Sequence, residues 1–284
     1  MKKVFIACIL AMIAIIANAQ NLVLTTMNIR VYGRGGVYAG TLEDEFRDKW
    51  LNEFISTRLG ESDVIAFQEI VNKETLEQNV IPNEMKCVSY DSDQELHIHV
   101  VLCFKNKYDL LIEKGDDNYA LEESALKKYR PAVYGVLAQN GKKLAHIMAV
   151  HLKAHPKGHE TRTKQMKLIE ARIDEFNDDL PVIILGDFNS YKDAGDFEMI
   201  NNLLTGHNII HAEMGELMTY KTFLYSGVFD HFWISNKLEI EQTPRVDGPC
   251  NSKKRGGERF DNLFFYNQFV SDHCPVTLNI KLPN

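Results

Sequence analysis

The sequence has little of what marks fibrous, disordered or repetitive proteins. Its 284 residues include only 17 glycines and 8 prolines, and it contains no internal repeat or low-complexity stretch. Collagen-like and disordered chains are excluded, because the composition is 45% hydrophobic and 25% charged, as in globular proteins. No linker rich in Pro, Gly or Ser interrupts residues 20–284, so we expect a single domain there.

Long hydrophobic runs are also lacking. The longest, residues 4–16, is shorter than the roughly 20 residues that span a bilayer. Two lysines precede it and Ala17-Asn18-Ala19 follows, which is the pattern of a cleaved signal peptide. A retained membrane anchor is the alternative. We expect residues 1–19 to be removed and the mature chain, from Gln20, to be periplasmic or extracellular without stable membrane insertion.

Positive charge is in short supply. The chain has 32 Lys and Arg against 39 Asp and Glu, which gives a formal net charge of −7. A broad surface that coats nucleic acid is therefore not expected, because neutralising many phosphates requires a cationic stripe. A compact site for a phosphate group remains compatible with this balance, since a bound metal ion can supply the local positive charge.

Cysteine is sparse. If Cys8 is lost with the signal peptide, four remain: Cys87, Cys103, Cys250 and Cys274. In an oxidising compartment they could form two disulfides, with three pairings open. The alternative is that some are small buried apolar residues, as the Val-Val-Leu-Cys-Phe context of Cys103 indicates. The absence of close Cys-x-x-Cys pairs argues against structural zinc.

Hydrophobic periodicity predicts more strands than helices. Apolar, β-branched runs predict strands at residues 22–29, 64–67, 100–104, 132–137, 144–150, 182–185, 228–234 and 274–280. Helical spacing predicts a helix over residues 43–58 and others around residues 166–176 and 197–204. Both hairpin and crossover connections are needed, so we expect an α/β sandwich of sheets with helices packed outside.

Polar side chains stand at the ends of these strands. They are Asn28 and Arg30, Gln68 and Glu69, His151, Asp187 and Asn189, Asp230 and His231, and Asp272 and His273. Carboxylates, amides and imidazoles are the groups that hold hard cations and move protons. Each pattern alone also fits an ordinary turn or a solvated face. Their repeated occurrence at strand ends favours one shared site.

The ordered motifs resemble those of the endonuclease/exonuclease/phosphatase superfamily, and within it the secreted deoxyribonuclease I-like nucleases. The motifs are Asn28-Ile29-Arg30, Gln68-Glu69, Arg130-Pro131, His151-Leu152, Gly186-Asp187-Phe188-Asn189, Phe229-Asp230-His231 and Ser271-Asp272-His273-Cys274-Pro275-Val276. The resemblance spans residues 22–280 and implies a four-layer sandwich of two mixed sheets with helices on both outer faces. It also implies phosphoester cleavage with Mg²⁺, with Mn²⁺ or Ca²⁺ as further ions.

The same resemblance implies a role for each motif residue. Glu69 resembles the principal metal ligand, with Asn28 beside it and Asp272 in support. Asp187 and Asn189 resemble the pair that orients the attacking water and the phosphate, and His151 the second imidazole. His273 resembles the imidazole that contacts the scissile phosphate, with Asp230 fixing its tautomer. Arg130 resembles a phosphate contact and Arg30 an arginine that reaches toward DNA. Which of Asp187, His151 and His273 is the general base stays open.

These expectations favour an exported, monomeric Mg²⁺-dependent phosphodiesterase that cleaves DNA, with RNA as a further substrate. The alternative is a metal-dependent phosphoesterase for phospholipid head groups or small phosphate esters. Ile70-Val71 stand where pancreatic-type enzymes carry a minor-groove arginine, which keeps that alternative open. No long apolar hairpin suited to a membrane is evident in the sequence. A non-catalytic binding protein is disfavoured, because every expected acid, amide and imidazole is present.

Overall fold

The computed structural model describes residues 20–35, 41–90, 98–113, 116–252 and 258–283. The expected signal peptide, residues 1–19, lies outside them. The helices are α1 (Asp44–Arg58), α2 (Lys73–Asn79), α3 (His159–Asp174), α4 (Asp196–Thr205) and α5 (Leu263–Phe269). The strands are β1 (Asn21–Tyr32), β2 (Val64–Ile70), β3 (Met85–Val88), β4 (His99–Lys105), β5 (Asp109–Leu111), β6 (Ala120–Leu121), β7 (Ala132–Gln139), β8 (Lys142–His151), β9 (Val182–Asp187), β10 (Ile209–His211), β11 (Tyr220–Lys221), β12 (Ser226–Gly227), β13 (Asp230–Ser235), β14 (Glu239–Val246) and β15 (Val276–Lys281). No helix in the described part is long and apolar enough to cross a membrane.

Two large mixed sheets form the centre of the molecule. One has the strand order β14-β15-β1-β2-β4-β3, in which only β1 and β2 pair in parallel. The other has the order β10-β13-β9-β8-β7-β5, with β6 beside β7, and only β8 and β9 are parallel. Strands β11 and β12 form a separate hairpin. The predicted mixed-sheet architecture is confirmed.

Side-chain alternation along the strands divides the core into layers. In β2, Val64 and Ala66 pack into a central cluster with residues of the second sheet, such as Leu185. The intervening Ile65 packs instead with α1 residues such as Phe54. Strand β9 alternates in the same way toward a third cluster that includes α3 and α4 side chains. Because each sheet is covered on both faces, its strands read as continuous apolar runs.

The four cysteines of the described chain form two disulfides. Cys87 of β3 is bonded to Cys103 of β4, and the two residues are directly opposite in the ladder. Cys250 is bonded to Cys274, just before β15. Cys103 is also fully buried, as its apolar context predicted. Spacing alone left three pairings open because connectivity depends on which strands are neighbours.

Element boundaries differ from the prediction at a few ends. Strand β13 begins two residues later than predicted and β15 begins at Val276, because the residues before them turn into the rim of the sheets. Helix α3 ends at Asp174, before the predicted Phe176. The shortest elements, including the β11–β12 hairpin, contain too few residues for any periodicity to be visible.

Candidate active site

The polar side chains predicted at strand ends converge at one rim of the sandwich. This rim carries Asn28, Glu69, His151, Asp187, Asp230 and His273. In the second sheet, Asp187 is directly opposite His151 on one side and Asp230 on the other. Across the sandwich, the amide of Asn28 reaches Asp187 at 3.1 Å and so connects the two sheets. Residues far apart in sequence are thereby held by rigid strands.

A cavity of about 400 Å³ opens at this rim, which we call the active-site cavity. Its lining includes Arg30, Glu69, Arg130, His151, Asp187, Asn189, Asp272 and His273. The two remaining predicted residues, Asn28 and Asp230, are fully buried and hydrogen-bond to lining residues. The structure thus brings together every residue to which the resemblance assigns a role. Of the other polar residues at strand ends, Gln68 bonds instead to Thr26 and the carbonyl oxygen of Ala66, and His231 lines a neighbouring cavity.

Asn28 organises the two carboxylates nearest the centre. Its Nδ2 donates to Glu69 Oε1 at 3.2 Å and to Asp187 Oδ2 at 3.1 Å. Its Oδ1 accepts the backbone N–H of Arg30 at 2.9 Å. In this arrangement Asn28 orients both carboxylates, and the second lone pair of its Oδ1 is left for the metal contact that the resemblance implies.

Paired irregularities in β1 and β2 aim two side chains into the cavity. The register of the two strands shifts between Asn28 and Tyr32, and that of β2 against β4 shifts before Ile70. At these bulges Glu69 has a φ of 64° and Arg30 a φ of 50°, in the left-handed region. Such backbone strain is costly for residues other than glycine and clusters at functional sites.

His273 and Asp230 form a buried pair. His273 Nδ1 lies 2.8 Å from Asp230 Oδ2, and both side chains are almost completely buried. Burial opposes protonation, but the charges of Asp230, Asp187 and Asp272 outweigh it and raise the pKa of His273 above its ordinary 6.5. His273 is therefore an imidazolium near neutral pH, with Nε2 on the side of Asp187 at 3.9 Å.

Whereas His273 is held in its charged form, burial favours the neutral forms of Asp187 and His151. Burial raises the pKa of Asp187, and Asp230 adds to the shift, whereas His273 opposes it. Burial lowers the pKa of His151 well below 6.5, and the charge of Arg130 lowers it further. His151 Nε2 lies 3.5 Å from Asp187 Oδ2, and its buried Nδ1 has no hydrogen-bond partner among the described residues.

The two arginines are fixed differently. Arg130 donates to the carbonyl oxygens of His151 at 3.4 Å and Leu152 at 3.2 Å, which anchors its guanidinium at the cavity wall. Arg30 lies in an ion pair with Asp272, Nε to Oδ2 at 3.4 Å. Both side chains line the cavity, so each can present N–H donors to a bound phosphate.

The chain after β9 is held in an uncommon conformation. Gly186 has a φ of 143°, and a Cβ there would meet the carbonyl oxygen of Val150 at 2.1 Å, so only glycine fits. Asn189, with a φ of 47°, donates its backbone N–H to Asp187 Oδ1 and its side-chain amide to Leu152. Phe188, between Asp187 and Asn189, points into the core.

The cavity contains oxygen donors suited to a hard divalent cation. Glu69 Oε2 and Asp272 Oδ1 have no hydrogen-bond donor among the described residues, and both carboxylates line the cavity. Asp187, Asp230 and His273 form a second group whose ligand atoms lie within 4.8 Å. In that group Asp230 and His273 already bind each other. Since Mg²⁺-like ions prefer carboxylate oxygen to imidazole, Glu69 and Asp272 fit it better.

Several wall residues were missed by sequence reasoning. They are the aromatic residues Tyr191, Tyr220, Tyr225 and Phe229. The rings of Tyr220 and His273 are 4.9 Å apart, edge to face. These aromatic residues lie on loops and short strands after β9 and before β13, where no periodic pattern identifies them; Phe229, next to Asp230, was quoted only as part of a motif.

Residues 49–273 match the family model described as Endonuclease/Exonuclease/phosphatase family. The chain belongs to this family. Its members are metal-dependent hydrolases of phosphodiesters and phosphates, and the chain is accordingly a metal-dependent phosphoester hydrolase. No curated protein sequence matches the chain significantly.

Solved structures of the family share the fold at low sequence identity. A family protein from Bacteroides thetaiotaomicron has a TM-score of 0.66 and 16% identity, covering 94% of this chain and 99% of its own. TDP2 of D. rerio, solved with a single-strand DNA product, has a TM-score of 0.64 and 16% identity, with coverage of 92% and 99%. A mannosyl-6-phosphatase of B. thetaiotaomicron has a TM-score of 0.63 and 16% identity, covering 93% of this chain and 100% of its own.

Proposed function

We propose that the chain is an exported, Mg²⁺-dependent phosphodiesterase that cleaves DNA as a deoxyribonuclease I-like endonuclease. One observation carries the proposal: the His273 imidazole held by Asp230, the buried carboxylate of Asp187 and two arginines face one cavity beside oxygen ligands for a cation. Export is supported by the signal-peptide pattern of residues 1–19. We propose a monomer, because the site is complete within one chain.

Glu69 and Asp272 would hold the cation, and Asn28 would keep the Glu69 carboxylate in place. A bound divalent cation stabilises the charge that grows on the phosphate as the fifth oxygen approaches. Mg²⁺ suits an all-oxygen donor set, and Mn²⁺ and Ca²⁺ bind the same donor types. The choice among these ions is part of the proposal.

The chain's own residues divide the proton transfers. The Asp187 carboxylate, oriented by Asn28, accepts a proton from the attacking water, and its raised pKa makes it a stronger base than an ordinary carboxylate. His273, protonated and fixed by Asp230, donates a hydrogen bond to the phosphate and passes that proton to the leaving alkoxide as the phosphorus–oxygen bond breaks. Arg130 and Arg30 offer further N–H donors to the same group.

Plasmid nicking tests this proposal. We expect the mature chain to nick supercoiled DNA with Mg²⁺, to stop when EDTA is added, and to lose roughly 100-fold or more of its rate in His273→Ala. His207→Ala is the matched control, because His207 lies just beyond α4 and outside the cavity. EDTA-resistant nicking, or equal rates in the two histidine variants, would contradict the proposal.

One observation favours a second candidate, hydrolysis of phospholipid head groups. The tip of the β11–β12 hairpin exposes Phe223 and Leu224 by 70% and 98%, and Phe264 beside it is also exposed. The sequence showed no long apolar hairpin, and this one is short, but its base carries Tyr220 and Tyr225 of the active-site cavity. Release of phosphocholine from neutral vesicles without plasmid nicking would favour this candidate.

A further inference from the structure

A second cavity, of about 500 Å³, opens beside the active-site cavity; we call it the side cavity. The two cavities share the side chains of Tyr191, Tyr225 and Phe229 as a common wall. Residues that line only the side cavity include Ser190, Phe197, His211, Met214, Ser226 and His231. Its volume lies within the range of cavities that hold small organic ligands. A substrate bound at the active site can therefore extend into it.

The shared wall is aromatic. Phe229 lies with its ring centroid 6.2 Å from that of His273 and also lines the side cavity. The Tyr225 ring stacks nearly parallel to Phe229, with an interplanar angle of 19°. Gly227 leaves room for this arrangement, since a Cβ there would meet the Phe229 ring at 2.9 Å. Such faces favour a flat, uncharged ring over an aliphatic chain of the same length.

A chain of hydrogen bonds gives the side cavity a defined polar group. The carbonyl oxygen of Val228 can only accept, so Ser190 Oγ donates its single proton to it at 3.1 Å. His231 Nε2 lies 2.8 Å from Ser190 Oγ and 3.3 Å from the same carbonyl oxygen, and all three contacts are satisfied only if Nε2 is the donor to both oxygens. His231 Nδ1 lies 3.0 Å from His211 Nε2. A neutral His231 that carries its proton on Nε2 must accept at Nδ1, so His211 donates from Nε2 and its Nδ1 is an acceptor.

Both histidines are held neutral. Burial lowers the pKa of His211 to about 4. Burial, together with the neighbouring His211, lowers the pKa of His231 to about 3. Among the described residues, His211 Nδ1 has no hydrogen-bond partner. It is also not one of the fully buried polar atoms, so a ligand in the side cavity can reach it. The side cavity therefore offers an uncharged acceptor. Its lining carries two carboxylates, Glu198 and Glu213, against one cation, Lys192, and this balance disfavours a phosphate there.

We infer that the side cavity binds the nucleobase next to the scissile phosphate, with the base against the Phe229–Tyr225 wall and a base N–H donating to His211 Nδ1. The inference rests on the proposed function and adds its substrate class: a nucleotide unit with its base turned out of any stack. Because a paired base cannot enter a cavity beside the phosphate, single-stranded DNA becomes the preferred substrate.

Binding of two matched compounds tests the inference independently of catalysis. One is 2′-deoxyadenosine 3′,5′-bisphosphate, and the other is the same sugar bisphosphate without its base. With a phosphate on each side of the sugar, the base can reach the side cavity whichever cleavage polarity applies. By calorimetric titration with Mg²⁺, we expect the adenine compound to bind the mature chain roughly tenfold or more tightly, since aromatic stacking of one base contributes that much.

Three variants test whether the tighter binding of the adenine compound arises in the side cavity. Ser226→Trp fills the mouth of the side cavity from an exposed position and is expected to abolish the advantage of the adenine compound. Leu224→Trp, on the same hairpin and outside both cavities, is the control and is expected to retain it. His211→Phe keeps a ring beside Phe197 and is expected to remove the preference for adenine over a purine that lacks the amino group.

Equal binding of the two compounds by the unmodified chain would overturn the inference, as would an advantage that survives Ser226→Trp. Neither result depends on DNA cleavage. A base advantage without plasmid nicking would reject the proposed function and leave the side cavity as a nucleotide site. Nicking without a base advantage would reject only the side cavity.

Discussion

At the residue scale, the site was visible in the sequence because its chemistry sits at strand ends. Asn28, Glu69, Asp187 and His273 each follow or precede an apolar run, and rigid strands bring them together. Their partners were less visible. Asp187 and Asn189 were identified by their position after an apolar strand, but the aromatic wall that includes Phe229 was not predicted. Its position depends on tertiary contacts of loops, which leave no periodic signal.

The Asp230–His273 pair leads to a prediction about pH. Asp230→Asn removes the negative charge that holds His273 protonated, so the pKa of His273 falls. The protonated form is then lost at lower pH, and the alkaline limb of kcat/KM moves toward acid. We expect a rate loss of roughly 100-fold at neutral pH. Rates of phosphodiester hydrolysis from pH 5 to 10 measure both effects.

A matched pair elsewhere provides the control for this prediction. Asp178 lies 2.8 Å from the buried His146, and neither residue lines the active-site cavity or the side cavity. Asp178→Asn makes the same chemical change at an Asp–His pair and is expected to leave the pH profile where it was. An unshifted alkaline limb in Asp230→Asn would show that His273 does not act as the cation we assign.

At the element scale, strands and long helices were predictable and their ends were not. The helix predicted through Phe176 ends at Asp174, because Phe176 instead stacks on His146 of β8. The bulges that turn Glu69 and Arg30 toward the cavity were not predictable either. Strand pairing decides where a register shift falls, and pairing partners are distant in sequence.

The close approach of β8 and β9 leads to a prediction about stability. Gly186→Ala places a methyl group against the carbonyl of Val150, so we expect a loss of about 3 kcal/mol or more in the free energy of unfolding. Gly141→Ala is the control: Gly141 also has a positive φ, but a Cβ there meets nothing within 4 Å. That variant should lose only about 1 kcal/mol. Urea unfolding measures the stability of both variants. Equal losses of unfolding free energy would show that the contact with the Val150 carbonyl does not destabilise Gly186→Ala.

At the scale of the whole molecule, the pattern of strands and helices predicted a sandwich of sheets with helices outside, and the family resemblance implied its four layers. The disulfide pairing, by contrast, required the fold. The Cys250–Cys274 bond spans 24 residues and the Cys87–Cys103 bond spans 16. Loop-closure entropy gives each about 3 kcal/mol. The Cys250–Cys274 bond also anchors the segment next to His273, whose carbonyl oxygen accepts a hydrogen bond from the hydroxyl of Tyr266.

The two disulfides should therefore differ in their effect on activity. Replacing both cysteines of either bond by serine is expected to lower the free energy of unfolding by about 3 kcal/mol. Only the variant at Cys250 and Cys274 should also lose activity at a temperature where both remain folded. The other double variant is its control. Equal activity of the two would show that the segment before β15 needs no covalent anchor.

We propose that the active-site cavity hydrolyses phosphodiesters with a divalent cation held by Glu69. The most direct test is the hydrolysis of bis(p-nitrophenyl) phosphate as a function of Mg²⁺ concentration, in the unmodified chain and in Glu69→Gln. We expect EDTA to abolish activity, Mg²⁺ to restore it, and Glu69→Gln to require roughly tenfold or more Mg²⁺ for half-maximal rate. Hydrolysis that persists in EDTA, or an unchanged Mg²⁺ requirement in Glu69→Gln, would contradict the claim.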